Sequence, residues 1–167
     1  MKIFFCLYIF IFLLSPTHAH AGRQVVELPP THGLSWEHMT AIADSFDIPV
    51  AILCGILATE GGQPGKAWSN KNGSWDMGPF QVNTCHVPTL LRLGVHPADV
   101  MRDARLNALF AARLLRSELD RTGDIWTAVG AYHSRNPALA RAYIARVRSN
   151  MAELDVRSLI QRVNRVK

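Results

Sequence analysis

The sequence predicts one mainly helical domain, α+β in class, with a small β-hairpin, and three observations carry that prediction. Apolar residues recur at three-and-four spacing through most of the chain. Residues suited to capping helices stand before these segments, and glycines stand after several of them. No long run alternates apolar with polar residues, and no internal repeat or coiled-coil heptad is present. At 167 residues the chain is long enough for one real core and short for two.

The chain begins Met1-Lys2, continues as an uncharged apolar run from Ile3 to Leu14, and reaches the small-x-small triplet Ala19-His20-Ala21. Residues 1–21 therefore read as an export signal cleaved near Ala21. The run is roughly a dozen residues, against the ~20 a helix needs to cross a bilayer, so no integral membrane segment is expected after cleavage. Residues 22–34, with Pro29-Pro30 and Gly33, read as a linker. Ser35 then caps a helix with Trp36, Met39, Ile42, Ala43 and Phe46 on one face. Pro49 suits the first turn of a second helix. Its residues Val50 to Leu57 are apolar nearly all round, so it is expected in the core. Glu60 stands at its end, where Gly61 and Gly62 stop it.

Gln63 to Ser74 reads as a polar loop, with the hairpin placed around Asn72 to Val82. Thr84 is expected to cap a helix through Val87, Leu90 and Leu91, ended by Gly94, and Pro97 opens a short turn. Asp103 caps the longest amphipathic helix, Ala104 to Arg121, closed by Gly123. Asp124 caps Ile125 to Ser134, and Asn136-Pro137 starts a helix through Tyr143, Ile144, Val147 and Met151. The domain is thus assigned to residues 35–152. Residues 153–167 read as a basic amphipathic tail with Val156, Leu159, Ile160 and Val163 on one side.

Composition narrows the function classes. Lys and Arg number 18 against 13 Asp and Glu, a formal charge of +5, and loss of Lys2 with the signal leaves +4. A mildly basic exported protein suits an acidic polymer or an anionic lipid surface, and export removes nucleic acid from the expected partners. Cys54 and Cys85 remain after cleavage. They are either a disulfide, as export permits, or two free thiols, Cys54 lying on an apolar helix where cysteine packs well. The histidines His32, His38, His86, His96 and His133 form no metal-type pair with a nearby acid. Gly-x-Ser-x-Gly and phosphate-cradling glycine patterns are absent as well. No metal and no cofactor is expected.

The chemistry that remains belongs to the carboxylates Glu60 and Asp76. A carboxyl at the C-terminal end of a buried helix faces both the negative end of the helix dipole and a loss of solvation. Both effects raise its pKa, which a general acid near neutral pH requires. The tryptophans Trp68 and Trp75 lie among amides and hydroxyls. That mixture suits a sugar groove, where ring faces take C–H surfaces and polar groups take hydroxyls, and equally suits two rings pinning a loop. Asp76 is open to two readings, a second catalytic carboxylate or a turn residue bonding nearby backbone amides.

Three separated stretches, taken in order, resemble the soluble lytic transglycosylase domain over roughly residues 35 to 150. They are Glu60 after its apolar helix; Asn72-Gly73-Ser74, Asp76, Gly78 and Gln81-Val82-Asn83; and Ala128 to His133 with Ala131-Tyr132. Within that family the chain is most similar to small exported members that accompany type IV secretion, conjugation, type III secretion and pilus machines. The resemblance implies a lysozyme-like fold, a periplasmic location, and cleavage of the β-1,4 bond between N-acetylmuramic acid and N-acetylglucosamine in peptidoglycan, with 1,6-anhydro-muramoyl ends. It implies Glu60 as catalyst, Gln81 lining the groove near the acid, and Tyr132 orienting the acid through its hydroxyl. Asn83, His133, Phe80 and Met77 join Gln81 and Tyr132 as expected substrate contacts. Components of an envelope-spanning machine are the implied protein partners.

The chain departs from the family pattern at three places. Gly61 replaces a serine, Pro79-Phe80 replace Leu-Met before Gln81, and His133 replaces an asparagine. Two other readings stay open at this point: a hydrolytic muramidase that uses Asp76, and a wall-binding assembly protein without catalysis, for which Gly61 is the hint.

Overall fold

A computed structural model describes residues 33–164, with side chains through residue 155. The expected signal, and the linker up to residue 32, lie outside the described residues. Among the described residues seven helices and a three-stranded antiparallel sheet follow in order: α1 (Trp36–Ser45), α2 (Val50–Glu60), β1 (Ala67–Ser69), β2 (Trp75–Met77), β3 (Val82–Asn83), α3 (Val87–Arg92), α4 (Pro97–Arg102), α5 (Ala104–Thr122), α6 (Ile125–His133) and α7 (Pro137–Asn164). A single 3₁₀ turn, Thr84–His86, leads into α3. The mainly helical prediction holds, and the cap residues account for it locally. Ser35 and His38 form a reciprocal capping box on α1, Asp103 accepts from two amides at the start of α5, and Asp124 caps α6. Gly61 and Gly123 end α2 and α5 in the left-handed conformation.

The sheet is larger than the expected hairpin. Its order is β1-β2-β3, with Trp68 opposite Asp76 and Asp76 opposite Asn83. Trp68 therefore belongs to a strand rather than to the expected loop. A three-residue strand is too short to show a period, so only pairing with β2 reveals it.

The core is assembled around α2, whose residues Ile52 to Leu57 are all buried. The long helix α7 packs on both α2 and α6, and α5 packs on α6. Two glycines permit close crossings on α7. A Cβ at Gly55 would come within 2.5 Å of Met151, and one at Gly130 within 3.0 Å of Ala140. These crossings bring Tyr143, 1% exposed, beneath the end of α2. Helix α7 runs unbroken to Asn164, so residues 153–164 are helical. Among the described residues no single helix is long and apolar enough to cross a membrane.

The cysteines are two free thiols, Cys54 buried in α2 and Cys85 exposed in the 3₁₀ turn. The disulfide alternative is thereby set aside. Burial pushes the Cys54 thiol up to about 12, which leaves it an inert packing group.

Candidate active site

Glu60 ends α2, and the geometry around it follows from how that helix stops. Gly61 turns the chain with φ 61°, and a side chain there would meet nothing within 4 Å. Glycine at this point serves the backbone turn of the helix end. Gly62 is different, because a Cβ there would sit 2.0 Å from the Gly78 carbonyl oxygen and 2.3 Å from Gln81 Nε2. The end of α2 thus lies directly on the turn Gly78–Gln81, and the Gly62 amide donates to the Pro79 carbonyl at 3.2 Å.

That turn is fixed from below by Asn107 of α5, a fully buried side chain. Its Nδ2 donates to the carbonyls of Met77 (2.9 Å) and Val100 (3.1 Å), and its Oδ1 accepts from the Phe80 amide at 2.8 Å. A Cβ at Gly78 would collide with this amide at 2.5 Å. Gln81 closes the turn with φ 50°, an uncommon backbone for a non-glycine residue. Its Nε2 donates to the Gly78 carbonyl at 2.8 Å.

The Glu60 carboxyl is partly buried, and its pKa is raised to about 7. Burial is the largest cause; the Tyr143 hydrogen bond and the Arg146 charge oppose it, and the Asp76 charge adds to it. Tyr143 Oη donates to Glu60 Oε1 at 2.5 Å. The expectation for Tyr132 is corrected by this bond. The Tyr132 hydroxyl donates instead to the Phe80 carbonyl at 3.0 Å, so it ties α6 to the turn while Tyr143 orients the acid. The two rings lie 6.5 Å apart, and the His133 imidazole lies flat on Tyr143 with centroids 4.5 Å apart and planes 2° apart.

On the opposite side stands the polar face of the sheet. Asp76 lies in β2 rather than in a turn, and side-chain amides rather than backbone amides bond it: Asn70 Nδ2 at 2.8 Å on one oxygen and Asn83 Nδ2 at 2.7 Å on the other. Asn83 also donates to Ser74 and accepts from the Cys85 amide. The register puts Trp68 on the face of Asp76 and Asn83, and Trp75 on the face of the buried Met77. Both rings are exposed, at 42% and 49%. Met77 and Phe80, expected against substrate, have their side chains in the core at 5% and 0% exposure. They support the turn from behind.

The structure therefore gathers Glu60, Gln81, Tyr132, His133 and Asp76 around one helix end and adds Tyr143 and Asn107, which the sequence reading did not single out for the site. Each carries a sequence signal in hindsight. Tyr143 sits on a helix face with Val147 that is otherwise apolar, where a hydroxyl must find a partner. Asn107 interrupts the buried face Ala104, Ala108, Ala111 of α5. Among the described residues no group of three His, Cys, Asp or Glu is placed to hold a metal ion.

A helical domain with one shielded carboxyl at the end of its central helix, facing a small antiparallel sheet, defines the lysozyme-like class. Sequence comparison then gives the family: residues 37–151 match the transglycosylase SLT domain, and the chain belongs to that family. Its relatives include Invasion protein IagB of Salmonella typhimurium, 30% identical over 90 residues, which are 53% of this chain and 56% of that protein. Protein IpgF of Shigella flexneri is 33% identical over 126 residues, 75% of each chain. The match to IagB thus spans little more than half of that relative's length.

Proposed function

We propose that this protein is an exported lytic transglycosylase of peptidoglycan, cleaving the β-1,4 bond between N-acetylmuramic acid and N-acetylglucosamine. The observation that supports it best is Glu60 itself: one carboxyl, poised near pH 7, held by a single tyrosine hydroxyl. In its protonated form Glu60 donates to the glycosidic oxygen as the bond from muramoyl C1 breaks. The resulting carboxylate then takes the proton of the muramoyl C6 hydroxyl, whose oxygen bonds to C1 and closes the 1,6-anhydro ring. The substrate's own N-acetyl oxygen stabilises the positive charge between these steps, so the second carboxylate of two-acid glycosidases is not needed. Asp76, with an amide on each oxygen, acts here as part of the sheet and as a like charge that keeps Glu60 protonated.

Gln81 flanks the acid as a substrate contact, His133 lies on the Tyr143 ring beside it, and Asn83 and Tyr132 fix the walls. The role in the cell is local opening of the wall for an envelope-spanning machine, in keeping with a relative that is named an invasion protein. Digestion of purified peptidoglycan by the wild type and by Glu60→Gln, with mass spectrometry of the released ends, tests this. Anhydro-muramoyl ends are expected from the wild type and at least about a hundredfold fewer from Glu60→Gln. Reducing muramic ends would instead establish a hydrolase, and no release by the wild type would leave a wall-binding protein.

A further inference from the structure

The geometry points to His133 as a positioning residue that holds the Tyr143 ring so that its hydroxyl meets Glu60. The inference rests on the proposed role of Glu60 and adds a part to it. Three observations carry it. The imidazole and the phenol are parallel within 2° at 4.5 Å, a face-to-face contact of two rings. Neither imidazole nitrogen hydrogen-bonds a described residue, so the ring face is its main attachment to the site. Tyr143, in turn, has its hydroxyl committed to Glu60 Oε1.

The parts come from different elements: His133 ends α6, Tyr143 lies on α7 and Glu60 ends α2. A swing of the Tyr143 side chain about χ1 would carry its hydroxyl off the acid, whereas a spin about the ring axis leaves it in place, and the imidazole blocks that swing toward one face. Arg146 lies 5.5 Å from the same ring centroid. The charged groups acting on the imidazole are Arg146 on α7 and Asp76 on β2, with the Tyr143 phenol against its face. Burial and Arg146 hold the imidazole pKa below its ordinary value while Asp76 opposes them. The ring is then neutral near pH 7 and stacks without placing a cation against the acid.

A flat ring is what this role needs, so phenylalanine should replace the histidine. The test compares His133→Phe and His133→Ala in the full chain, each also combined with Tyr143→Phe. Two readouts are used, turnover on peptidoglycan and the pH titration of the Glu60 carboxyl followed by carbon-13 NMR. His133→Phe is expected to keep kcat within about twofold, and His133→Ala to lower it about three- to tenfold with KM nearly unchanged. In the Tyr143→Phe background His133→Ala should add no further loss. The Glu60 titration in His133→Ala should move upward, as it does in Tyr143→Phe, because the positioned hydroxyl favours the ionised form.

Equal losses in His133→Phe and His133→Ala would overturn the proposal in favour of a role for the imidazole nitrogens. A change in KM alone would make His133 a substrate contact. An unmoved Glu60 titration in folded His133→Ala would break the link through Tyr143. If the wild type cleaves no glycan, the proposed function fails, and the titration still decides the stack.

Discussion

The two sides of Glu60 hold it in different ways. On the helical side Tyr143, His133 and Arg146 act through one hydroxyl, one stacked ring and one charge, and each alters the carboxyl or the group that touches it. On the sheet side, hydrogen bonds join Asn70, Ser74, Asp76 and Asn83 to one another, and Asn107 separately holds the backbone of Met77 and Phe80. A network of this kind fixes a shape, while a single hydrogen bond is easily adjusted. The helical side therefore tunes the acid, and the sheet side keeps the opposite wall in place.

Breaking the sheet side should cost stability first. Asn107→Ala strips three hydrogen bonds, one each from β2, the Gly78–Gln81 turn and α4, and roughly 2–4 kcal/mol of unfolding free energy should be lost in urea titrations. A loss under about 1 kcal/mol would mean that the turn holds its shape without Asn107.

Breaking the helical side should show in rate and in pH instead. Tyr143→Phe is expected to lower kcat about tenfold with little change in melting temperature. The acid must begin protonated, so the rate falls as pH rises through the Glu60 pKa of about 7. Losing the hydroxyl raises that pKa and moves the falling limb to higher pH; a limb that stays in place would remove Tyr143 from its role. The same carboxyl makes a stability prediction. Its folded pKa lies above the ordinary glutamate value of 4.5, so the native state keeps its proton where the unfolded chain has lost it. Stability contributed by this group is present below pH 4.5 and lost as pH rises toward 7, and Glu60→Gln should flatten that slope in denaturation curves.

Smaller changes sharpen the comparison. Gly61→Ser restores the residue of the family pattern but places a side chain on a left-handed backbone facing open space. It should cost about 1 kcal/mol of stability and leave turnover unchanged. A gain in turnover would show that a hydroxyl at this position reaches the acid or the substrate. Of the two exposed tryptophans, Trp68 shares its face with Asp76 and Asn83. Trp68→Ala should weaken binding of N-acetylglucosamine oligomers to the Glu60→Gln variant about threefold, and Trp75→Ala should leave it unchanged. Equal effects would mean that the face assignment does not govern the sugar contact.

Much of the fold was legible because helix starts and stops are local chemistry. Ser35, Asp103 and Asp124 cap helices where expected, and Gly61 and Gly123 end them. Which side chains of α5 are buried is not local in the same way. Leu109 is 38% exposed while Ala108, Ala111 and Ala112 are fully buried, since close helix packing favours small side chains over large ones at the contact. Tyr132 was assigned a bond that Tyr143 makes, because two tyrosines eleven positions apart offer similar hydroxyls, and only the crossing of α7 over α2 decides which reaches Glu60.

By itself the sequence determined the helical class, the position of the acid at the end of a buried helix and the direction of its pKa shift. Each depends on residues within a few turns of one another. Tertiary structure alone decided which hydroxyl meets Glu60, that Asp76 is held by Asn70 and Asn83, that Asn107 supports the turn and that the cysteines stay apart. Those relations join residues up to 83 positions apart. They depend on how closely two helices can cross at Gly55 and Gly130, and on the fit of Gly62 against the Gly78 carbonyl.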